Sequence, residues 1–196
     1  MAIRVIAGPT VEPITIDDLK NDLKVDADLT EDDALIRALG IAARRVAESI
    51  QNRALITQTL ELALDEWPGG NTLEIPRPPL QSVTSIKYYD EDDAEYVLDP
   101  GSYYADTYSE PGRVVLKAGE SWPDEILRTA NGVVVQFVAG YGDEESEVPE
   151  TTVQAIRLLV GHWYENREAV SSTGAIPKEV PFGVMSLLWL DRVDIV

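Results

Sequence analysis

The chain has 196 residues, 16 Lys and Arg against 35 Asp and Glu, a formal net charge of −19, and no cysteine. That length suits one domain, or one with an inserted lobe, and such a chain buries roughly 70% of its unfolded surface, enough for a core without staples. The missing cysteines exclude disulfides and thiolate metal sites, the acidic balance lacks the basic footprint of a DNA binder, and no apolar run reaches the ~18 residues of a membrane helix.

Residues 1–14, with Gly8-Pro9 and Glu12-Pro13, read as an extended, mobile lead-in. They lack the basic stretch and long apolar run of a secretion signal, so a soluble protein made in the cytoplasm is expected. Thr15 has the position of an N-cap, with Asp17 and Asp18 beside the first-turn amides. A short helix follows from about 16 to 23, carrying Ile16, Leu19 and Leu23 on one side. Thr30, with Asp33 three residues on, predicts the cap of a longer helix that ends by residue 52. Within it Leu35, Leu39, Ala42, Val46 and Ile50 recur at helical spacing, while Arg37, Arg44, Arg45 and Glu48 fill much of the remaining surface. Gly40 and the alanines at 38, 42, 43 and 47 leave room for a close helix, most simply one of the same chain.

From Ile56 the period changes to two. Gln58, Leu60, Leu62 and Leu64 share one side, and Thr57, Thr59, Glu61 and Ala63 the other. Pro68-Gly69-Gly70-Asn71 marks a turn, and Leu73 to Ile75 a short returning strand. Pro76, Pro78 and Pro79 cannot donate ladder bonds, so pairing ends there at a sheet edge. Further strands are predicted over 83–89, 95–98, 103–106, 113–117 and 133–138, with an acidic turn at 90–93. Residues 54–142 therefore read as a small antiparallel β-lobe. An acidic loop, 143–147, precedes Pro149 and Glu150, which suit a helix start. That helix, 149–167, aligns Val153, Ile156, Val160, Trp163 and Tyr164. Residues 169–180 read as a linker and 181–196 as a last apolar segment, helical over Val184 to Val193. The expected fold is α+β, mainly a helical bundle carrying a small antiparallel β-lobe, in one domain.

Reactive chemistry is scarce. His162 is the only histidine and lies beside Trp163, where packing is the simpler role. Neither Gly-x-Ser-x-Gly nor a phosphate loop ending in Lys-Ser or Lys-Thr occurs. The carboxylate runs 90–93 and 143–145 lack the central glycine and closing glutamate of a calcium loop. No catalytic, cofactor-binding or metal-binding residue is expected. The last segment is the better interaction signal: Val184, Leu187, Leu188 and 190–193 surround Trp189, and an apolar tail on a tether either folds back or docks into a partner. The negative charge fits solubility, a surface past which DNA slides, or a mimic of DNA.

The order of the motifs is informative. Glu12-Pro13-Ile14-Thr15 is followed by Leu19 through Leu23-Lys24-Val25-Asp26, then Asp32-Asp33-Ala34-Leu35-Ile36 leading into the long helix. Arg53-Ala54-Leu55-Ile56-Thr57-Gln58-Thr59, Arg77-Pro78-Pro79-Leu80 and Tyr88-Tyr89-Asp90 come next. Tyr103-Tyr104, Pro111-Gly112-Arg113-Val114, a valine strand ending Ala139-Gly140-Tyr141-Gly142, and Pro149 follow. Ile176-Pro177, Leu187-Leu188 and Arg192 close the series. Over most of the chain this resembles the head–tail connector (adaptor or head-completion) proteins of tailed bacteriophages and their gene-transfer-agent and prophage relatives.

The resemblance implies a structural virion protein, not an enzyme, with no active-site residues and no cofactor to carry over. It implies a homo-oligomeric ring, commonly a dodecamer, in the virion neck beneath the portal, assembled in a bacterial cytoplasm. Such a ring extends the DNA channel without binding DNA specifically, requires no membrane, and offers a platform to a downstream stopper or tail-terminator protein. It directs the last segment to the portal, with Val184, Leu187, Leu188, Trp189 and Arg192 as docking candidates. Rings need two different matching faces; Arg37, Arg44, Arg45 and Glu48 are candidates for one, opposite acidic loops of a neighbour. The long acidic middle, 90–125, departs from the family pattern. The alternative is an acidic, DNA-mimicking inhibitor of a nucleic-acid-binding protein, followed by a hydrolase working through two converging carboxylates.

Overall fold

The computed structural model describes residues 1–166 and 182–194, and these fall into two units that interleave along the chain. One holds residues 1–10, 57–141 and 193–194; the other holds 11–56, 142–166 and 182–192. The linker expected at 169–180, with Ile176-Pro177, lies outside the described residues.

The first unit is built of strands: β1 (Ala2–Ala7), β2 (Gln58–Leu64), β3 (Thr72–Ile75), β4 (Leu80–Tyr89), β5 (Glu95–Val97), β6 (Tyr103–Asp106), β7 (Gly112–Leu116) and β8 (Val133–Ala139). They form an antiparallel five-stranded sheet in the order β1-β2-β8-β4-β5 and a three-stranded one in the order β3-β7-β6. Strand β8 lies at the centre, and its valines alternate as the period of two demands: Val133, Val135, Phe137 and Ala139 are fully buried. Leu60 and Val83 flank Phe137 in register, and Leu62 and Ile86 flank Val135. Leu73, Ile75, Val114 and Leu116 of the smaller sheet are also buried. Burial of each such side chain contributes roughly 1.5–3 kcal/mol before entropy is counted.

Three expectations are corrected here. The lead-in is not loose: Ala2–Ala7 pairs with β2, Val5 opposite Leu60. Its apolar run has no alternation to mark it, because the strand sits at the sheet edge and only Ile3 is even half-buried. The segment Leu73–Ile75 does not return on β2 but pairs with β7, Leu73 opposite Val114, a partner that local sequence could not name. The fold is α+β, yet not mainly a helical bundle, since two antiparallel sheets form one whole unit.

The second unit holds α1 (Ile16–Asp22), α2 (Asp33–Gln51), α3 (Glu150–Glu165) and α4 (Phe182–Leu190). Thr15 caps α1 as expected, its Oγ1 accepting from the Asp18 amide at 3.0 Å. The cap of α2 is Asp32 rather than Thr30, whose carbonyl accepts from the Asp33 amide in a preceding turn. Helix α2 ends on Asn52 in the left-handed region, a common stop. Its buried stripe is Ile36, Gly40, Ala43 and Ala47 with Arg44, Glu48 and Gln51; the expected stripe from Leu35 to Ile50 is only half-buried. The helix is thus turned by one residue, because small side chains admit its neighbours. A Cβ on Gly40 would lie 3.2 Å from Leu19 Cδ1 of α1, and Gln51 donates to Thr152 Oγ1 of α3 at 2.9 Å. Lys20 is buried, a position sequence reasoning left unremarked. Its ammonium donates to the carbonyls of Ala27 and Leu29 at 2.9 and 2.6 Å and pairs with Asp33 at 2.9 Å, tying down the turn between α1 and α2.

Candidate interaction surface

The motifs that carry the family resemblance turn out to be joints. Ala54, Leu55 and Ile56 are buried, and the Leu55 amide donates to Glu48 Oε1 at 3.1 Å. Glu48 also accepts from Arg44 Nη1 at 2.8 Å, and Arg44 Nε donates to Glu12 at 2.7 Å. Burial alone would lower the Arg44 pKa, but the hydrogen bonds and charges of Glu12 and Glu48 outweigh it and raise the value. One buried guanidinium thereby ties the start of the unit to its long helix. Ile56 bridges to Gly142, where a Cβ would sit 1.9 Å from the Glu147 carboxylate. Glu147 folds over that glycine and accepts from the Glu144 amide at 3.0 Å. In the β-rich unit, a Cβ on Gly112 would lie 2.4 Å from Leu80 Cβ, so Pro111-Gly112-Arg113 and Arg77-Pro78-Pro79-Leu80 meet in direct contact.

Helix α4 both folds back and faces outward. Val184 and Leu188 are buried, with α3 as the main neighbour. Just past the helix, the Asp191 carbonyl accepts from Arg53 Nε, and its carboxylate accepts from the Thr151 hydroxyl at 2.8 Å. Phe182, Trp189 and Leu190 are 88%, 59% and 68% exposed, Leu187 is half-buried, and Arg192 lies over the Trp189 ring at 5.0 Å. Of the docking candidates, Val184 and Leu188 therefore form a seat, while Trp189 and Arg192 are presented to solvent.

On α2 the four ring candidates separate. Arg44 and Glu48 are internal, paired as above, so they can only stiffen the helix from beneath. Arg37 and Arg45 are exposed, and neither has a hydrogen-bond or ion-pair partner among the described residues. Ile41, four residues from each and 36% exposed, completes an Arg-Ile-Arg stripe. Sequence reasoning overlooked Ile41, although its spacing from both arginines was there to read. Helix α3 has its own outward stripe: Glu150, Gln154, Leu158, Gly161 and Glu165, with Leu158 45% exposed.

Two grooves on the surface of the described residues bear on these stripes and on the sheet. One, of about 730 Å³, runs beside α1 and α2 and is lined by Val11, Ile14, Ile16 and Ile41, with Arg37 and the acidic 143–145 run at its rim. The other, of about 620 Å³, crosses the large sheet. Its cations are already matched: Arg4 with Glu61 at 2.7 Å, Lys87 with Glu95 at 2.8 Å, and Arg128 with Asp93 at 3.4 Å. The hydrogen bond to Glu95 raises the Lys87 pKa, and the Glu95 pKa falls in return. Among the described residues no group of His, Asp and Glu is arranged to hold a metal ion.

The chain belongs to the head completion protein family, whose model matches residues 12–179. Three solved structures are similar over its whole length. A chain of the virion of a native gene transfer agent particle is 25% identical with a TM-score of 0.80, 100% of this chain and 97% of that one being covered. A chain of the neck of an empty gene transfer agent particle, computed with C6 symmetry, is 27% identical with the same TM-score and coverage. A third, from the neck of the native particle computed with C12 symmetry, is 23% identical at a TM-score of 0.78 and shows the fold alone. Comparison with curated proteins gives no match.

Proposed function

We propose that this chain is a structural protein of the virion neck whose copies form a ring beneath the portal and join head to tail. The observation that carries this is the family match over residues 12–179, together with full-length likeness to a chain of a gene transfer agent neck. The symmetries used for the similar necks favour a closed ring, in which each subunit meets its neighbours through two unlike faces. In this reading Arg37 and Arg45 belong to one such face. The exposed side of α4, with Trp189 and Arg192, docks onto the portal, while Val184, Leu188 and the Asp191 contacts hold the helix ready. The net charge of −19 suits a channel along which DNA slides without specific binding. A downstream stopper or terminator protein meets the other end of the ring, and no enzymatic step is involved.

The test is electron microscopy of particles produced after deletion of this gene. Filled or leaking heads lying apart from complete tails are expected. Normally joined, infectious particles would end the neck reading and return attention to an acidic decoy.

A further inference from the structure

The two outward stripes of the helical unit are complementary, and we infer that they meet between adjacent copies: α2 of one subunit packs on α3 of the next. This rests on the ring reading and names the second face that the ring needs.

Both stripes have the same plan with opposite charge. On α2, Ile41 is 36% exposed and stands between Arg37 and Arg45. On α3, Leu158 is 45% exposed and stands between Glu150 and Glu165. None of these four charged residues has a hydrogen-bond or ion-pair partner among the described residues. At about 1.5 Å rise per residue, each charge lies roughly 6–12 Å along its helix from the apolar centre, within reach of flexible Arg and Glu side chains. Gly161 supplies the fit. A Cβ there would meet nothing within 4 Å, so α3 offers an open notch beside Leu158 into which Ile41 of a neighbour can settle. Small residues at such a crossing let two helices approach to about 8–10 Å.

Charge decides against a random encounter. Copies carrying −19 each repel one another, so an interface between them must concentrate the scarce positive charge opposite carboxylates. Arg37 and Arg45 remain unmatched within a chain of 35 carboxylates, and the acidic 143–145 run at the rim of the neighbouring groove leaves them unpaired. The two stripes lie on different helices, so α2 of one copy can meet α3 of the next head to tail, the heterologous arrangement that the ring reading requires.

A charge swap in particles tests this. Arg37→Glu with Arg45→Glu, and separately Glu150→Arg with Glu165→Arg, should each lower the fraction of heads joined to tails at least tenfold. All four changes in one chain should recover joining to within about threefold of wild type, since both reversed faces then match. Melting temperatures and circular dichroism of the purified variants check folding, and Ile41→Cys with Gly161→Cys in the otherwise cysteine-free chain gives a second readout. That pair should give ladders of disulfide-linked copies in intact particles under oxidising conditions. Normal joining by both double variants, or only unlinked chain in particles that contain the cysteine variant, overturns the α2–α3 contact and leaves the ring standing. Well-folded double variants that fail, with a well-folded fourfold variant failing equally, overturn it too. Normal joining without the gene refutes the ring reading itself.

Discussion

The two units handle their positive charges differently. In the β-rich unit every described Lys and Arg has a partner: Arg4, Lys87, Arg113 and Arg128 pair with carboxylates, Lys117 donates to a carbonyl, and Arg77 is also engaged. In the helical unit the buried cations are clamped just as firmly, yet Arg37 and Arg45 stand exposed without partners. With more than twice as many carboxylates as cations, an unmatched arginine is the unusual case. The contrast leaves every described cation of the β-rich unit matched, and Arg37 and Arg45 as the described arginines of the helical unit without a partner.

The comparison can be broken most forcefully from inside. Arg44→Met removes the cation between Glu12 and Glu48 and leaves Glu48 buried; breaking such a pair costs about 3–5 kcal/mol. Urea unfolding followed by circular dichroism should show that loss, and a change under 1 kcal/mol would mean that the clamp is not structural. Next comes the seat of α4. Leu188→Ala should cost about 2–5 kcal/mol in packing, read as faster hydrogen exchange in residues 184–190. Unchanged exchange would mean that α4 is held by its end contacts alone. Trp189→Ala, on the exposed side of the same helix, should change unfolding stability by less than about 0.5 kcal/mol. It should nevertheless reduce the number of heads that gain tails.

The smallest effect is expected in the β-rich unit. The Asp106 carboxylate accepts from Arg113, from the Ser109 hydroxyl and from the amides of Tyr108 and Ser109, which hold its pKa far below the ordinary 3.8. A depressed value means that the folded state takes up the proton less readily than the unfolded one. Its contribution is therefore complete above pH 4 and is lost as pH falls toward the folded value. Asp106→Asn should flatten the fall of melting temperature below pH 4 and leave joining intact. An identical acid profile would remove Asp106 from the account.

Much of this was legible in the chain because local signals sufficed. Thr15 capped α1, the valines of β8 alternated, and Pro149 opened α3, each through chemistry spanning a few residues. What escaped reading depended on distant partners. Strand β1 is a strand only because β2 lies beside it, some 55 residues later, and β3 chose β7 over its nearer neighbour. The apolar stripe of α2 was misplaced by one residue because Gly40 and the alanines bury better than the leucines beside them. Arg44 and Glu48 looked like surface residues because the Glu12 carboxylate that pairs with Arg44 lies 32 residues away in the sequence. The motif order identified the family correctly, yet those motifs are joints. The residues proposed to meet other copies lie between the motifs: sequence named Arg37 and Arg45, and exposure separated them from Arg44 and Glu48 and added Glu150 and Glu165.

A side-chain-resolution reconstruction of the neck in intact particles tests the central claim most directly. The account predicts a closed ring of this chain under the portal, with Arg37 and Arg45 of each copy within ion-pairing distance of carboxylates on the next. Arg37 and Arg45 facing solvent throughout the ring, or no density for the chain in the neck, would contradict it.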